Sequence, residues 1–266
     1  MNDRVKVEVD AGVAHVRLVR AERMNALDGP MFDALVAAGE QLRQAGEVRC
    51  VVLSGEGRAF CSGLDKSLIS KAGTTATPLG HALGPRTHGI ANREQYAAIV
   101  WRDVPAPVIA AVHGVAFGGG LQLALGADLR FVAADAQLSM MEIKWGLIPD
   151  MGGTVLMREL VRDDVARELI YTGRVFSGTE AVALGLATRV CVDPLEEALQ
   201  SAREIATKSP DAMRAAKRLL NELSNRTVAD ALRGEAEEQD RLIAGPNHAE
   251  AVAAHLAQRA PQFSET

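Results

Sequence analysis

The twenty residues from Val108 to Ala127, VIAAVHGVAFGGGLQLALGA, decide how this chain is read. Their apolarity passes a crude window for a membrane span. Yet His113, Gln122 and five glycines lie inside it, and a spanning helix rarely carries a Gly-Gly-Gly run at its centre. The stretch parses instead as a buried strand, Val108 to Val112, passing Gly114 into the turn Gly118-Gly119-Gly120 and then a helix from Leu121 to Leu125. A turn of this kind presents free backbone N–H groups, and a helix start behind it adds the positive end of a dipole, so it suits a developing negative charge. Tight strand–helix packing accounts for the same glycines.

Working outward, strand, loop and helix alternate without a fixed repeat. Val5 to Val9 and Val13 to Leu18 alternate apolar and polar about Ala11-Gly12, the pattern of a hairpin with one buried face. Pro30 opens an amphipathic helix, with Met31, Leu35, Ala38 and Leu42 at helical spacing, that ends at Gly46. Arg49 to Leu53 is a short buried strand, followed by a glycine-punctuated loop to Gly63. Its end, Cys61-Ser-Gly-Leu-Asp65, is a second turn after a strand, and Leu64 offers a second N–H donor. Residues 71 to 92 mix Gly, Pro, Thr and His without periodicity and read as a lid. Asp128 to Val132 is a further strand, and Ser177-Gly-Thr-Glu180 is a capping box for a helix that Gly185 stops. From Pro194 the strands cease, and helices start near Pro210, Thr227 and Asn247. The expected organisation is an α/β core over 1–193 and a helical region over 194–266, packing on its own core or on a neighbouring subunit.

Composition narrows the function classes. The chain has 266 residues, 48% of them apolar, with net charge −5 and 4% aromatic residues, a poor match to nucleic-acid binding, which favours a basic field and stacking rings. Cys50, Cys61 and Cys191 form no CxxC and suit a reducing cytosol, and MNDRVKVEVD carries no basic-then-apolar leader, so a cytoplasmic location is expected. Dinucleotide, P-loop and nucleophile-elbow motifs do not occur. His81/His88 and His248/His255 lack metal-ligand spacing and are expected to be solvated, with no metal site, and Cys61 is read as a small packing residue. Two carboxylates keep apolar company: Glu142 in Ser-Met-Met-Glu-Ile and Asp150 in Leu-Ile-Pro-Asp-Met. Burial would raise either pKa toward neutrality and fit it for proton transfer, against a rival reading as salt bridges to Lys144, Arg130 or Arg158.

Taken together, Arg23-Met-Asn-Ala-Leu27, Gly57-Arg-Ala-Phe-Cys-Ser-Gly-Leu-Asp65, Ala110 to Gly120, Ala127 to Arg130 and Ala136 to Thr154 resemble, in order and over nearly the whole chain, the crotonase (enoyl-CoA hydratase/isomerase) superfamily. The resemblance implies a crotonase-like spiral of ββα turns with a C-terminal helical trimerisation region, in trimers or hexamers built as dimers of trimers. It implies a coenzyme A thioester as substrate, its carbonyl held by the N–H groups of Leu64 and Gly119, with no cofactor beyond the coenzyme A moiety. The coenzyme would lie along Met24, Ala26 and Leu27 and along Ser62, Leu64, Asp65 and Lys66, beside Gly118 and Gly119, with Arg23 and Lys66 as candidates for its phosphates. Hydratases of the family carry glutamates at the positions of Gln122 and Glu142. Here the first is an amide, which cannot exchange a proton in the working pH range. Dienoyl-CoA isomerases of the family carry an aspartate matching Asp150, although also an acid at position 122. The expectation is therefore double-bond isomerisation with Glu142 as base, Asp150 as second proton carrier and Gln122 beside them. Hydration through Glu142 is the alternative, and a non-catalytic acyl-CoA or RNA-binding scaffold is the less favoured one. Leu64, Phe117, Met140, Met141 and Trp145 are expected to line the pocket.

Overall fold

The computed structural model describes residues 3–69 and 81–265. The lid expected over 71–92 falls partly outside them. The hairpin forms as read, β1 (Val5–Asp10) against β2 (Val13–Leu18), with Ala11 and Gly12 both at positive φ in the turn. Helix α1 (Gly29–Gln44) starts one residue before Pro30. Asp28 caps it by accepting the Met31 N–H, and Met31, Phe32, Leu35 and Leu42 point into the core. Strand β3 (Cys50–Gly55) leads to the short α2 (Lys66–Ile69), and α3 (Arg93–Asp103) begins with an Asn92/Gln95 capping box. It ends just before Val104-Pro105, where proline disfavours helical geometry in the preceding residue.

The deciding stretch is β4 (Val108–Val112), β5 (Val115–Phe117) and α4 (Gly119–Leu125). Then follow β6 (Leu129–Ala133), β7 (Gln137–Ser139), a 3-10 turn over Met141–Trp145, α5 (Gly153–Arg158) and α6 (Asp163–Thr172). Next come β8 (Phe176–Ser177), α7 (Gly178–Leu184) and β9 (Arg189–Cys191). Ser177 caps α7 as expected, but Glu180 pairs with Arg174 across 2.7 Å. The main sheet has the order β1-β2-β3-β4-β6-β9, parallel from β2 onward, and a second sheet has the order β5-β7-β8.

Buried parallel strands have two apolar faces, which is why β3 and β4 read as continuous apolar runs rather than alternating ones. Val51, Leu53, Ala110 and Val112 join the core shared with α1 and α3. Cys50, Val52, Ile109 and Ala111 face Ala198, Ala202 and Ala206 of α8 (Pro194–Ala206). The helical region continues with α9 (Pro210–Glu222), α10 (Val228–Ile243) and α11 (Pro246–Leu256), and it folds back on its own chain. Lys217, buried, donates to the carbonyls of Trp101 (2.9 Å) and Ala106 (3.0 Å) and pairs with Asp128 (2.7 Å). The Asn247 start signal is corrected: Gly245 and Pro246 open α11. The buried Asn247 amide instead donates to Asp211 (2.7 Å) and the Ser264 carbonyl (3.0 Å) and accepts the Ser264 N–H (2.9 Å), clamping the C-terminal tail. Among the described residues no helix is long and apolar enough to cross a membrane.

Candidate active site

The two glycine turns found in the sequence meet. Cys61 bridges Ala116 in parallel, and Leu64 bridges Leu27, so the segments 61–65, 115–119 and 24–27 lie side by side. Gly63 sits at φ +83°, and a Cβ there would come within 2.4 Å of the Phe117 carbonyl oxygen and 3.6 Å of the Gly119 nitrogen. A Cβ on Gly120 would come within 2.2 Å of the Cys61 carbonyl oxygen. The backbones approach this closely because neither position carries a side chain. No acceptor among the described residues takes the Leu64 or the Gly119 N–H, whereas the neighbouring Gly118 N–H is used by Ser139.

Both turns open on a cleft of about 550 Å³. Met24, Ala26, Ser62, Leu64, Asp65, Lys66, Gly118, Gly119, Gln122, Glu142 and Asp150 all border it. Of the other expected pocket residues, Phe117, Met141 and Trp145 line it, but Met140 is wholly buried in the core, a correction. Leu27 is corrected in the same way: it is fully buried and backs Gly119 from behind rather than facing the cleft. Arg23 and Lys66 sit at the cleft, as does Arg58, a cation of the Gly57 to Asp65 motif that is not among the expected phosphate ligands.

Asp65 has a structural task. Its carboxylate takes Arg20 at 2.6 Å and the Ser67 N–H at 2.9 Å. Burial alone would raise its pKa, but these partners outweigh burial and hold it at about 2. The stability it supplies is therefore fully present above the ordinary aspartate value and is lost as pH falls through about 2. Asp65→Asn is expected to lower the unfolding free energy at neutral pH by about 2 kcal/mol, with the gap to wild type closing in acid. Denaturant titrations of both proteins at pH 7 and pH 2.5 check this; an equal gap at the two values contradicts it.

Gln122, wholly buried on α4, is held on both ends. Its Oε1 accepts the N–H groups of Met151 (2.8 Å) and Gly153 (3.0 Å), and its Nε2 donates to Glu142 Oε1 (2.7 Å). Two backbone donors on one atom and a carboxylate on the other leave no doubt about which end is oxygen. The other oxygen of Glu142, Oε2, is buried without any hydrogen-bond partner. The expected rival reading, a salt bridge, does not apply: among the described residues no cation pairs with Glu142 or Asp150, and Arg130 donates to the carbonyls of Leu186 and Ala127. Burial, chiefly, raises the Glu142 pKa, the Gln122 bond opposes it, and the Asp150 charge adds to it. Asp150 is an exposed residue where it borders the cleft; partial desolvation is the main cause that raises its pKa, and the Glu94 charge adds to it.

Glu94 and its neighbours complete the surroundings. Glu94, in the first turn of α3, is buried, lines the cleft, and is gripped by Arg93 (2.7 Å) and His81 (3.2 Å). His81 is thus not simply solvated, and neither is His88, which stacks on Tyr96 at 4.8 Å. No local sequence pattern marks these pairings. Cys61 is a packing residue as expected, buried, its thiol donating to the Asn25 carbonyl and pushed up to about 12 by burial. No cluster of metal-binding side chains occurs among the described residues.

With this geometry in view, the relationship to known proteins is informative. Residues 8–266 match the family model described as Enoyl-CoA hydratase/isomerase. The chain belongs to that family. It is 32% identical to the 1,2-epoxyphenylacetyl-CoA isomerase of Escherichia coli (strain K12), over 99% of each chain. It is 30% identical to the peroxisomal Delta(3,5)-Delta(2,4)-dienoyl-CoA isomerase of Arabidopsis thaliana, over 98% of this chain and 96% of that one. The crystal structure of enoyl-CoA hydratase from Bacillus anthracis superimposes with a TM-score of 0.89 at 30% identity, covering 99% and 100% of the two chains. The fold is accordingly crotonase-like, and the names of its enoyl-CoA hydratase/isomerase relatives divide between the two chemistries.

Proposed function

We propose that this member of the enoyl-CoA hydratase/isomerase family moves a double bond in an acyl-coenzyme A. In this reading the thioester oxygen sits between the Leu64 and Gly119 N–H groups, which stabilise the enolate as it forms; one such donor is typically worth about 2.7–4 kcal/mol in the transition state. Glu142 Oε2 removes a proton from carbon, and Asp150 delivers a proton to the far end of the conjugated system. The pantetheine and nucleotide run past Met24, Ala26, Ser62 and Lys66, with Arg23, Arg58 and Lys66 near the phosphates. No cofactor beyond the substrate's own coenzyme A is called for. The protein works as a homotrimer or a dimer of trimers in the cytoplasm, which gives cover to apolar residues such as Leu220, Val228, Leu232 and Leu256 that the single chain leaves exposed.

The observation that carries the choice of isomerisation is the occupation of Gln122. Addition of water by two carboxylates needs a second acid facing the first, but this side chain is a neutral amide whose oxygen is already taken by Met151 and Gly153. The unpartnered Glu142 Oε2 is also compatible with activating water, so hydration of a 2-enoyl-CoA is the second reading. Incubation with 2-enoyl-, 3-enoyl- and dienoyl-CoA substrates in heavy-oxygen water separates them. Isomerisation gives a spectral change with no label in the product, and stoichiometric label defeats it. Asp150→Asn is expected to slow net isomerisation about 10²–10⁴-fold while solvent deuterium still exchanges into the substrate, because Glu142 continues to take and return the first proton.

A further inference from the structure

Helix α5 begins without a cap of its own. Gly152, at its N-terminal boundary, has no side chain to accept the first N–H groups, and the amide oxygen of Gln122, from α4, takes them instead, Met151 at 2.8 Å and Gly153 at 3.0 Å. The fit is close on that side: a Cβ on Gly153 would stand 2.7 Å from Gln122 Oε1 and 2.8 Å from its Cγ. The other end of the same side chain donates to Glu142 Oε1 at 2.7 Å. Gln122 therefore grips the segment that carries both carboxylates at its two ends, by the Glu142 side chain at one and by the peptide bond joining Asp150 to Met151 at the other. Between the grips the segment braces itself, since the Leu147 N–H donates to the Glu142 carbonyl at 3.1 Å and the Gly146 N–H to that of Ile143 at 3.0 Å. The Asp150 side chain is exposed, but the peptide bond that follows it is held.

The grip has a fixed reference. The Gln122 N–H donates to the Gly118 carbonyl at 3.0 Å, which places the residue in the first turn of α4, the turn that begins at Gly119. An amide suits this place better than an acid does. It accepts at one end and donates at the other at every working pH, whereas a glutamate would donate to Glu142 only while protonated and would otherwise face it as a second carboxylate. Of the charged residues that border the cleft, only Glu142 hydrogen-bonds Gln122 among the described residues; Asp150, Glu94 with its Arg93, Asp65 with its Arg20, and Glu22, Arg23, Arg58 and Lys66 do not. We propose that Gln122 is a positioning residue for the reaction: it fixes the base and the backbone beside Asp150 against the same helical turn that presents the Gly119 N–H, so that proton acceptor, second carboxyl and enolate donor keep one geometry. This rests on the isomerase reading above and deepens it, because a proton taken at one carbon and returned at another needs those groups held in register.

The experiment compares Gln122→Met and Gln122→Glu with wild type in steady-state isomerisation across pH. Gln122→Met keeps the length and loses both ends of the grip; kcat is expected to fall about 10²-fold, the cost of misplacing reacting groups, while KM changes less than about threefold. Gln122→Glu keeps an oxygen for the Met151 and Gly153 N–H groups, and it donates to Glu142 only while the two carboxyls share a proton. It is expected to recover kcat to within about tenfold of wild type at low pH and to lose it as that proton leaves, at a midpoint above the ordinary glutamate range, an alkaline fall that the wild-type amide cannot produce. A wild-type kcat in a folded Gln122→Met protein overturns the proposal, as does a Gln122→Glu profile that coincides with wild type at every pH. Should Gln122→Met not fold, the Gln122→Glu profile decides alone. Failure of the isomerase reading is distinguishable, because it shows in the wild-type protein, as label from heavy-oxygen water in the product.

Discussion

Glu142→Gln is expected to reduce turnover by about 10²–10⁴-fold while leaving the affinity for acyl-coenzyme A unchanged. The substitution is nearly isosteric, and the new amide oxygen still accepts from Gln122 Nε2, so the 2.7 Å contact that orients the side chain survives. What changes is Oε2. In wild type it is a buried acceptor with nothing to accept from, an expensive state unless the reaction supplies a proton to it. In the variant an NH₂ group stands there, which cannot take up a proton near neutral pH. The residues that border the cleft around Met24, Ser62 and Lys66 are untouched, so calorimetric binding of a non-reactive acyl-CoA serves as the control. Because burial raises the Glu142 pKa, the base is disarmed as pH falls through a value above the ordinary glutamate range, and wild type is expected to show its acidic limb there. Turnover within tenfold of wild type in Glu142→Gln, with binding intact, removes Glu142 from the role of base.

How much of this was readable beforehand depends on whether the information is local. β3, β4 and α1 announce themselves through apolar runs, Pro30 and spacing, because the forces that make them act within a few residues. The two glycine turns and the pair Glu142 and Asp150 were visible as residues in unusual company. The use of Gln122 was not. Its oxygen is claimed by amides 29 and 31 residues downstream, and nothing near it in sequence says that α5 begins there. Glu94 is a stronger case: on a helix's first turn, next to an arginine, it looks like an ordinary exposed cap. It borders a cleft that Phe32 and Asp150 also line, and only the folded chain brings these distant residues together. The Asn247 start signal misled for the related reason that asparagine is equally good at capping a helix and at clamping backbone, and a tail able to reach back competed for it. Long-range pairing of polar groups is the part of the site that spacing rules do not encode.

Gly63→Ala is expected to cost at least as much activity as removing one oxyanion donor, about 10²–10³-fold in kcat, although it deletes no hydrogen-bonding group. The added methyl is doubly disfavoured. At φ +83° an L-residue is strained, on the order of 1–2 kcal/mol, and its Cβ would stand 2.4 Å from the Phe117 carbonyl oxygen, a backbone atom with no rotamer to escape into. Phe117 is tied to Cys61 through its N–H at 3.1 Å, and the adjoining Gly118 to Ser139 at 2.8 Å, so relief comes by separating the turn carrying Leu64 from the turn carrying Gly119. Those are the two N–H groups on which the enolate is proposed to rest, and a shift of a few tenths of an ångström spoils aim before it spoils folding, since preorganised dipoles act only at hydrogen-bonding distance. The signature is therefore kcat falling much further than stability, with unfolding free energy reduced by about 1–3 kcal/mol. Gly29→Ala is the matched control: nothing lies within 4 Å of a Cβ there and its φ is not positive, so both quantities should stay near wild type. If Gly63→Ala folds and turns over at the wild-type rate, the Leu64 and Gly119 amides are not what holds the thioester oxygen, because no arrangement of the two turns accommodates that methyl without moving one of them.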